Sequence, residues 1–486
     1  MSKQVIAIEG EKGYYNAYGY HSARAAAADG RSPTPGSGAY HQEYHRENLI
    51  GQSREFMRDN GIYRGMIDRA VGYIVGNGFD LQVTTTDAEF NQLAENLWNG
   101  YWKRPEIRGL LTGREVERMV CREVIVAGDT ASIKTDQKKI QLIEAEQIAG
   151  PFRIAKDGIK KDEYGRVTDF YITSYSQYGR IDKYKSLPYP ADAIVYITNP
   201  DRPSETRGVP ACQATFSMLH RINDVCDSEA ASWQILSKLA VAIGKENAEA
   251  DAYSISTDDP NKVGTDTSGD AATRVQQLDY ALIFHGAPGD TIRGIDRNIP
   301  GKDFPASLTM FLRLLGLPLG LPIEIILLDW TKSNYSQARS VLLQTYQSVF
   351  MEWQRKLEDS FYNNILFWKV KEWTRDGLLP KTQNIFEHEW IKPAFPWIDQ
   401  LKEGQAHKLN VGLCFETQNQ VCKSQNKDRE SVVKVRELEI RDSIERAKRI
   451  TADTGVEVDW RLFAGLDTSD GQIVVNNQTA GNSDNE

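Results

Sequence analysis

The sequence has 486 residues, 40% hydrophobic and 26% charged, so it can bury a core and has room for about three domains. Its net charge of −9 argues against a protein that binds nucleic acid tightly, because phosphate binding needs clustered Lys and Arg. An acidic surface still lets DNA slide past, since it repels the phosphate backbone.

The chain carries no signal for a membrane or for disulfide bonds. No apolar run reaches the roughly 18 residues of a spanning helix, and the first residues lack the pattern of a signal peptide, so we expect no membrane partner. The five cysteines are widely spread and odd in number, which is typical of reduced thiols and not of a zinc site.

The first 200 residues predict an α+β region behind an N-terminal arm. Residues 1–45 are rich in Ala, Gly, Ser and Tyr and predict an extended arm. Helices are predicted at 46–59 and 63–75, a strand follows at 79–83, and helical spacing returns at 88–127. Short alternating strands separated by turn residues are predicted from 130 to 200.

Two helices with a polar insertion between them are predicted next. From Pro210 to Gly244 no Gly or Pro interrupts a helical apolar pattern, which predicts a helix of about 35 residues. Residues 247–275 are polar, and a strand at 280–284 is predicted before a second helix at 304–315.

The longest predicted helix covers residues 336–376, which contain neither Gly nor Pro. Its apolar stripe has helical spacing and consists of Leu342, Tyr346, Phe350, Trp353, Leu357, Phe361, Ile365 and Trp368. A helix of this length, roughly 60 Å, is unusual in a single domain and suits an assembly.

The C-terminal region is predicted to be helical. Thr417 and Gln420 match a capping box, and a salt-bridged helix is predicted from 428 to 453 with Gly455 as its end. Residues 467–486 are predicted to be a disordered tail.

Motifs for catalysis, cofactors and metals are absent from the sequence. It has no GxxxxGK[ST], GxSxG, HExxH or CxxC run, so we predict no catalytic residue, no cofactor and no enzymatic activity. His41 and His45 have metal-ligand spacing but no third ligand nearby, and Asp258-Asp259 lies in a low-complexity loop, so we assign no metal site.

Four segments resemble the portal proteins of lambda-type tailed bacteriophages. They are QSREFMRDNG at 52–61, RPSETRGVP at 202–210, DWTKSNYSQAR at 329–339 and WIDQLKE at 397–403. Their order matches the family over roughly residues 46–410, whereas the arm and the tail match nothing in it.

The resemblance implies a ring, usually of twelve subunits, with wing, stem, clip and crown regions around a central channel. Carried onto this chain, it implies the following parts: arm 1–45, wing 46–200, first stem helix 201–246, clip 247–300, second stem helix 301–317, tunnel loop 318–335, long wing helix and return 336–395, crown 396–466 and tail 467–486.

The same resemblance implies partners, a location and channel residues. Double-stranded DNA would pass through the ring without sequence recognition. The terminase large subunit, and later a head–tail adaptor, would dock on the clip, and the major capsid protein would surround the ring. The location would be the portal vertex of the virion, after assembly in the host cytoplasm. Lys332, Asn334 and Lys302 are the candidate channel residues, because a ring of such side chains contacts phosphate irrespective of sequence.

Two alternatives stay open at this point. One is another head–tail adaptor or minor capsid protein without a DNA channel, although such proteins are usually shorter and lack this order of helices. The other is an enzyme that acts on DNA, which would need a phosphate or metal site. The three candidate residues have a plainer reading as solvent-exposed side chains.

Overall fold

The computed structural model describes residues 6–7, 14–15, 37–151, 155, 157–176, 179, 181–243, 274–278, 281–285, 304–329, 335–381, 387–393 and 400–465. The chain divides into two units. One comprises residues 1–74 and 102–368, and the other comprises 75–101 and 369–486. They are described separately.

The first unit is built from helices and four small sheets. Its helices are α1 (Gly38–Asp59), α2 (Gly61–Val75), α4 (Gly113–Ala127), α5 (Phe216–Lys238), α6 (Phe304–Gly316), α7 (Ile323–Leu327), α8 (Tyr335–Thr345), α9 (Met351–Leu357) and, up to residue 368, α10 (Asn363–Arg375). Its strands are β1 (Ile6–Ala7), β2 (Tyr14–Tyr15), β4 (Asp129–Lys134), β5 (Ile140–Ile143), β6 (Ile159–Lys161), β7 (Val167–Ile172), β8 (Leu187–Pro190), β9 (Ile194–Thr198), β10 (Leu239–Ile243), β11 (Arg274–Leu278) and β12 (Ala281–His285).

Two three-stranded antiparallel sheets form the β part predicted between 130 and 200. One has the order β5-β4-β9 and the other β6-β7-β8. Apolar side chains of both sheets lie in one cluster: Ala131, Ile133, Ile143, Ile148, Ile159, Phe170, Ile172 and Ile194. The α+β class predicted for this part of the chain is therefore confirmed.

Helix α1 begins earlier than the sequence predicted. It starts at Gly38, so the last residues of the predicted extended arm, 38–45, are helical. The reason is local, because no Gly or Pro lies between Gly38 and Gly51. Residues 1–5, 8–13 and 16–36 of the arm lie outside the described residues.

The helix predicted from 210 to 244 is shorter than expected. A 3-10 turn at Gln213–Thr215 precedes α5, and the last five residues form β10, which pairs in parallel with β12. The segment Leu-Ala-Val-Ala-Ile alternates large and small residues, a pattern that suits a strand, and pairing with β12 outweighs the helical period. Strand β11, which completes that sheet, was not predicted.

The long helix is present from residue 335 to 375, close to the predicted 336–376. Helices α8, α9 and α10 follow one another through π-helical turns at Tyr346–Phe350 and Glu358–Tyr362. The predicted stripe contributes to the core, because Phe350, Leu357 and Ile365 are buried. Helix α2 supplies the facing side, with Tyr73 stacked on Phe350 at a centroid distance of 5.3 Å.

The second unit contains a two-stranded sheet and the C-terminal helices. Strand β3 (Asp80–Val83) pairs antiparallel with β13 (His388–Ile391), which the sequence analysis missed. Helix α3 (Ala88–Trp102) begins this unit's helical part, followed by α11 (Gln400–Gly412), α12 (Gln418–Ser424) and α13 (Arg429–Thr454).

The predicted caps of the C-terminal helices are confirmed. Thr417 and Gln420 form the capping box of α12. Asp428 caps α13 at its N-terminus, and Gly455 ends it with a left-handed φ of 70°. The predicted tail, 467–486, lies outside the described residues.

Candidate functional site: the helical hairpin and its anchor

The candidate site is the hairpin of α5 and α6 together with the segment that leads into α8. Helices α5 and α6 pack against each other. At the root of α5, Phe216, Leu219 and Ile222 are buried, and Phe216 contacts Phe56 of α1 at a centroid distance of 5.4 Å. The hairpin is therefore fixed at its base by the core of the first unit.

Beyond Ile222, helix α5 is largely exposed to solvent. Asp224 and Asp227 are exposed on it, and Trp233 exposes 52% of its surface although it is a large aromatic residue. On α6, Met310 is 62% exposed. Large apolar side chains exposed on one hairpin are typical of a surface that another protein covers.

The segment before α5 is anchored by a buried ion pair. Arg207 is 2% exposed, and its Nε and Nη2 donate to the two carboxylate oxygens of Asp129 at 2.6 and 2.9 Å. The remaining guanidinium hydrogens are bonded to the carbonyl oxygens of Ala145, Ile148 and Asp157. All five donors of Arg207 are thus satisfied inside the protein.

A second arginine shares the same carboxylate. Arg46 of α1 donates to Asp129 Oδ1 at 2.8 Å and to the carbonyl of Gly208 at 2.9 Å. Asp129 Oδ2 also accepts from the Tyr196 hydroxyl and from the backbone N–H of Gly208. The cluster therefore ties α1, the sheet and the root of the hairpin together.

The electrostatics of the cluster favour its charged form. Burial opposes ionisation of Asp129, but the charges of Arg207 and Arg46 outweigh it and lower the pKa of this carboxyl group. Burial likewise works against the charge on Arg207, yet Asp129 raises its pKa above the ordinary value. Burial lowers the pKa of Arg46, and the positive charge of Arg207 lowers it further by a smaller amount.

Two glycines bring the backbone of the hairpin root against the sheet. A Cβ at Gly208 would lie 2.0 Å from the carbonyl oxygen of Gly128, and Gly128 itself has a φ of 91°. No other residue type fits this close approach. Arg207 and Gly208 therefore have a structural role at the root of the hairpin.

The segment after α6 makes a tight turn. A 3-10 turn at Leu317–Leu319 is followed by Gly320, with a φ of 58°, and by α7. A Cβ at Gly316 would lie 2.1 Å from the carbonyl oxygen of Leu321. Arg69 of α2 donates to the carbonyl of Ile326 at the end of α7. The start of the predicted tunnel loop is therefore packed on the first unit.

The three candidate channel residues, Lys302, Lys332 and Asn334, lie outside the described residues. Helix α6 begins two positions after Lys302, and α8 begins directly after Asn334.

A polar cavity of about 410 Å³ lies between the hairpin root and the long helix. Lys356 of α9 bonds the side chain of Asn199 there and lies over the Trp353 ring, 4.9 Å from its centroid. Burial lowers the pKa of Lys356, although Glu352 and Asp201 partly oppose this effect. Sequence reasoning missed this cavity because its residues come from three distant segments.

Among the described residues, no group of three His, Cys, Asp or Glu side chains is placed to hold a metal ion. Within the same part of the chain, no helix has the length and apolar character needed to cross a bilayer.

Comparison with known families gives the deciding observation. The family described as "Phage portal protein, lambda family" matches residues 25–354, which include the hairpin, its anchor and the segment leading into α8. The chain belongs to the lambda family of phage portal proteins. The match confirms the resemblance noted in the sequence. Portal proteins are structural components of the particle, and the predicted location of this protein, the portal vertex of the virion, is also confirmed.

Solved structures similar to this portal protein come from gene transfer agent (GTA) particles. "Virion of native gene transfer agent (GTA) particle" is 13% identical, covers 82% of this chain and 97% of its own, and has a TM-score of 0.45. "Neck of empty GTA particle computed with C6 symmetry" is 15% identical, with 83% and 98% covered and a TM-score of 0.45. "Neck of native GTA particle computed with C12 symmetry" is 12% identical, with 77% and 91% covered and a TM-score of 0.45.

Proposed function

We propose that this portal protein assembles into a closed ring whose central channel carries double-stranded DNA into and out of the capsid. The observation that carries the proposal is the family match over the hairpin and its anchor. The exposed apolar side chains of the hairpin, Trp233 and Met310, support it, because neighbouring hairpins in a ring would cover them.

The parts of the ring follow the domain division implied by the sequence. Helices α5 and α6 are the stem, residues 247–300 the clip, 318–335 the tunnel loop and 396–466 the crown. The anchor of Arg207 on Asp129 supports a stem that is held rigidly at its base. A rigid base suits a channel that carries sliding DNA, since the stem's position then varies little.

The net charge of the chain, −9, fits a surface that DNA passes without strong adhesion. The described stem helices themselves carry exposed charges of both signs, Asp224 and Asp227 against Arg221 and Arg313. Like charges on protein and phosphate weaken non-specific adhesion. Within the channel, Lys332, Asn334 and Lys302 would provide weak phosphate contacts that the ring's symmetry repeats.

In this proposal the portal ring provides the channel, and a separate partner protein provides the force that moves the DNA. We propose that the terminase large subunit docks on the clip during packaging and that a head–tail adaptor replaces it afterwards. The major capsid protein would surround the ring at its vertex. The alternative of an adaptor or minor capsid protein is not favoured, because the matched family is that of portal proteins.

An in vitro packaging assay tests the channel role through Lys332. Lys332→Ala should leave the oligomer intact and reduce packaged or retained DNA, because one substitution removes the contact from every subunit. Lys332→Arg should behave like the wild type, since either cation contacts phosphate. Lys161→Ala, at an exposed lysine of β6, is the matched control.

Normal packaging and retention by Lys332→Ala would make Lys332 an ordinary surface lysine. Failure of the ring to form would instead give it a structural role.

A further inference from the structure

The three C-terminal helices enclose an apolar groove of about 440 Å³. Its lining comes from α11, α12 and α13, and the apolar members are Val411, Val421, Cys422, Val432 and Val433. Val432 and Val433 remain 42% and 47% exposed, although β-branched apolar side chains are normally covered. The groove is thus an apolar surface with room for a few side chains.

The charged side chains that line the groove are basic. Lys408 and Arg429 lie at its rim together with His407, and no acidic side chain is part of the lining. Arg429 donates to the side-chain oxygen of Gln418 at 3.1 and 3.2 Å, which holds its guanidinium beside the groove. His407 Nδ1 lies 2.7 Å from the carboxylate of Glu416. The groove therefore suits an acidic segment with an apolar centre.

The chain itself leads to this groove. Arg436 donates to the carbonyl of Ala464 at 2.9 Å, and Arg436 follows Val432 on α13 by one helical turn, about 6 Å. The described residues end at Gly465, directly after this contact. The tail thus begins beside the groove.

The tail has the composition that the groove would bind. Residues 466–486 contain Asp467, Asp470, Asp484 and Glu486 and neither Lys nor Arg. Their one cluster of large aliphatic residues is Ile-Val-Val at 473–475. Seven residues separate Gly465 from this cluster, enough to span roughly 25 Å when extended.

We propose that residues 473–475 occupy the groove of their own subunit, with the acidic residues of the tail facing Lys408 and Arg429. The tail then covers the apolar groove in place of solvent. This interaction lies within the C-terminal region. It goes beyond the portal function and does not depend on it.

Disulfide trapping in the full-length chain tests the proposal, because Cys422 lines the groove. Val474→Cys is introduced in a background carrying Cys226→Ser and Cys414→Ser, and the protein is oxidised with diamide. Docking raises the effective concentration of the two thiols, so we expect a bond between residues 474 and 422 at least about tenfold faster than from Ser483→Cys. Mass spectrometry of the peptides identifies the bond.

Additional variants make each outcome decisive. Adding Cys422→Ser should abolish the trapped product, and Lys408→Glu together with Arg429→Glu should slow its formation. Equal rates from Val474→Cys and Ser483→Cys would overturn the proposal. A product that migrates as a dimer under denaturing conditions would also overturn it, since the tail would then occupy a neighbour's groove.

Discussion

Arg207 and Asp129 lie 78 positions apart in the chain and form a buried bidentate ion pair at the root of helix α5. Both oxygens of Asp129 accept hydrogen bonds from Arg207. The same carboxylate also accepts hydrogen bonds from Arg46, from the Tyr196 hydroxyl and from the backbone N–H of Gly208. One carboxylate therefore joins the sheet of β4, β5 and β9, helix α1 and the segment that leads into α5.

Removal of Arg207 should destabilise the protein strongly. Arg207→Ala removes the hydrogen bonds to three carbonyl groups and to both oxygens of the buried Asp129, so we expect a loss of about 3–5 kcal/mol in the free energy of unfolding. Urea unfolding followed by tryptophan fluorescence measures it. Arg64→Ala is the control, because Arg64 makes only an exposed pair with Asp68 and should cost less than about 1 kcal/mol. Equal effects of the two substitutions would contradict the anchoring role.

The contribution of Asp129 should depend on pH in a defined direction. Its pKa is lowered in the folded protein, so its stabilisation is present above the unfolded value of about 3.9 and is lost as pH falls through the folded pKa. We expect the difference in unfolding midpoint between the wild type and Asp129→Asn to be constant from pH 8 to about 5. It should shrink below about pH 4. A difference that grows on acidification would refute this sign.

The close approach of Gly208 to Gly128 should not tolerate a methyl group. Gly208→Ala places a Cβ 2.0 Å from a backbone oxygen, and the backbone on both sides is held by the ion pair. We expect a destabilisation of at least about 1–3 kcal/mol. Gly100→Ala in α3 is the matched control, because nothing lies within 4 Å of its Cβ. It should be neutral or slightly stabilising. A neutral Gly208→Ala would show that the approach is looser than described.

The cysteines should differ in reactivity. Burial raises the pKa of Cys121 and of Cys212 to about 12, so both are protonated as well as inaccessible at pH 8. Cys414 is exposed. Alkylation of the native protein, located by mass spectrometry, should modify Cys414 first and the two buried thiols on the order of a thousandfold more slowly. Urea should remove the difference, and rapid native labelling of Cys121 would argue against the packing of α4.

The sequence predicted the elements whose signals are local. Asp428 and Gly455 bound α13 as expected, since caps and helix ends depend on neighbouring residues. The stripe of the long helix was also predicted correctly, because Phe350 and Ile365 repeat at helical spacing.

The parts that were missed depend on contacts between distant residues. Residues 239–243 have helical neighbours on one side, yet they pair with β12, some forty positions later in the chain. The partner of Arg207 could not be identified either, because nothing near Asp129 in the sequence distinguishes it from other acids. The candidate channel residues, Lys302, Lys332 and Asn334, stay predictions.

The mass of the purified oligomer tests the central claim most directly. The account predicts a ring of subunits of 54.9 kDa each, with a mass that is an integer multiple of this value and an open centre in negative-stain images. The same oligomer peak should contain no ATPase activity, since the sequence has no phosphate-binding loop. A monodisperse monomer at micromolar concentration and moderate salt, with no ring even when capsid protein is present, would contradict the account.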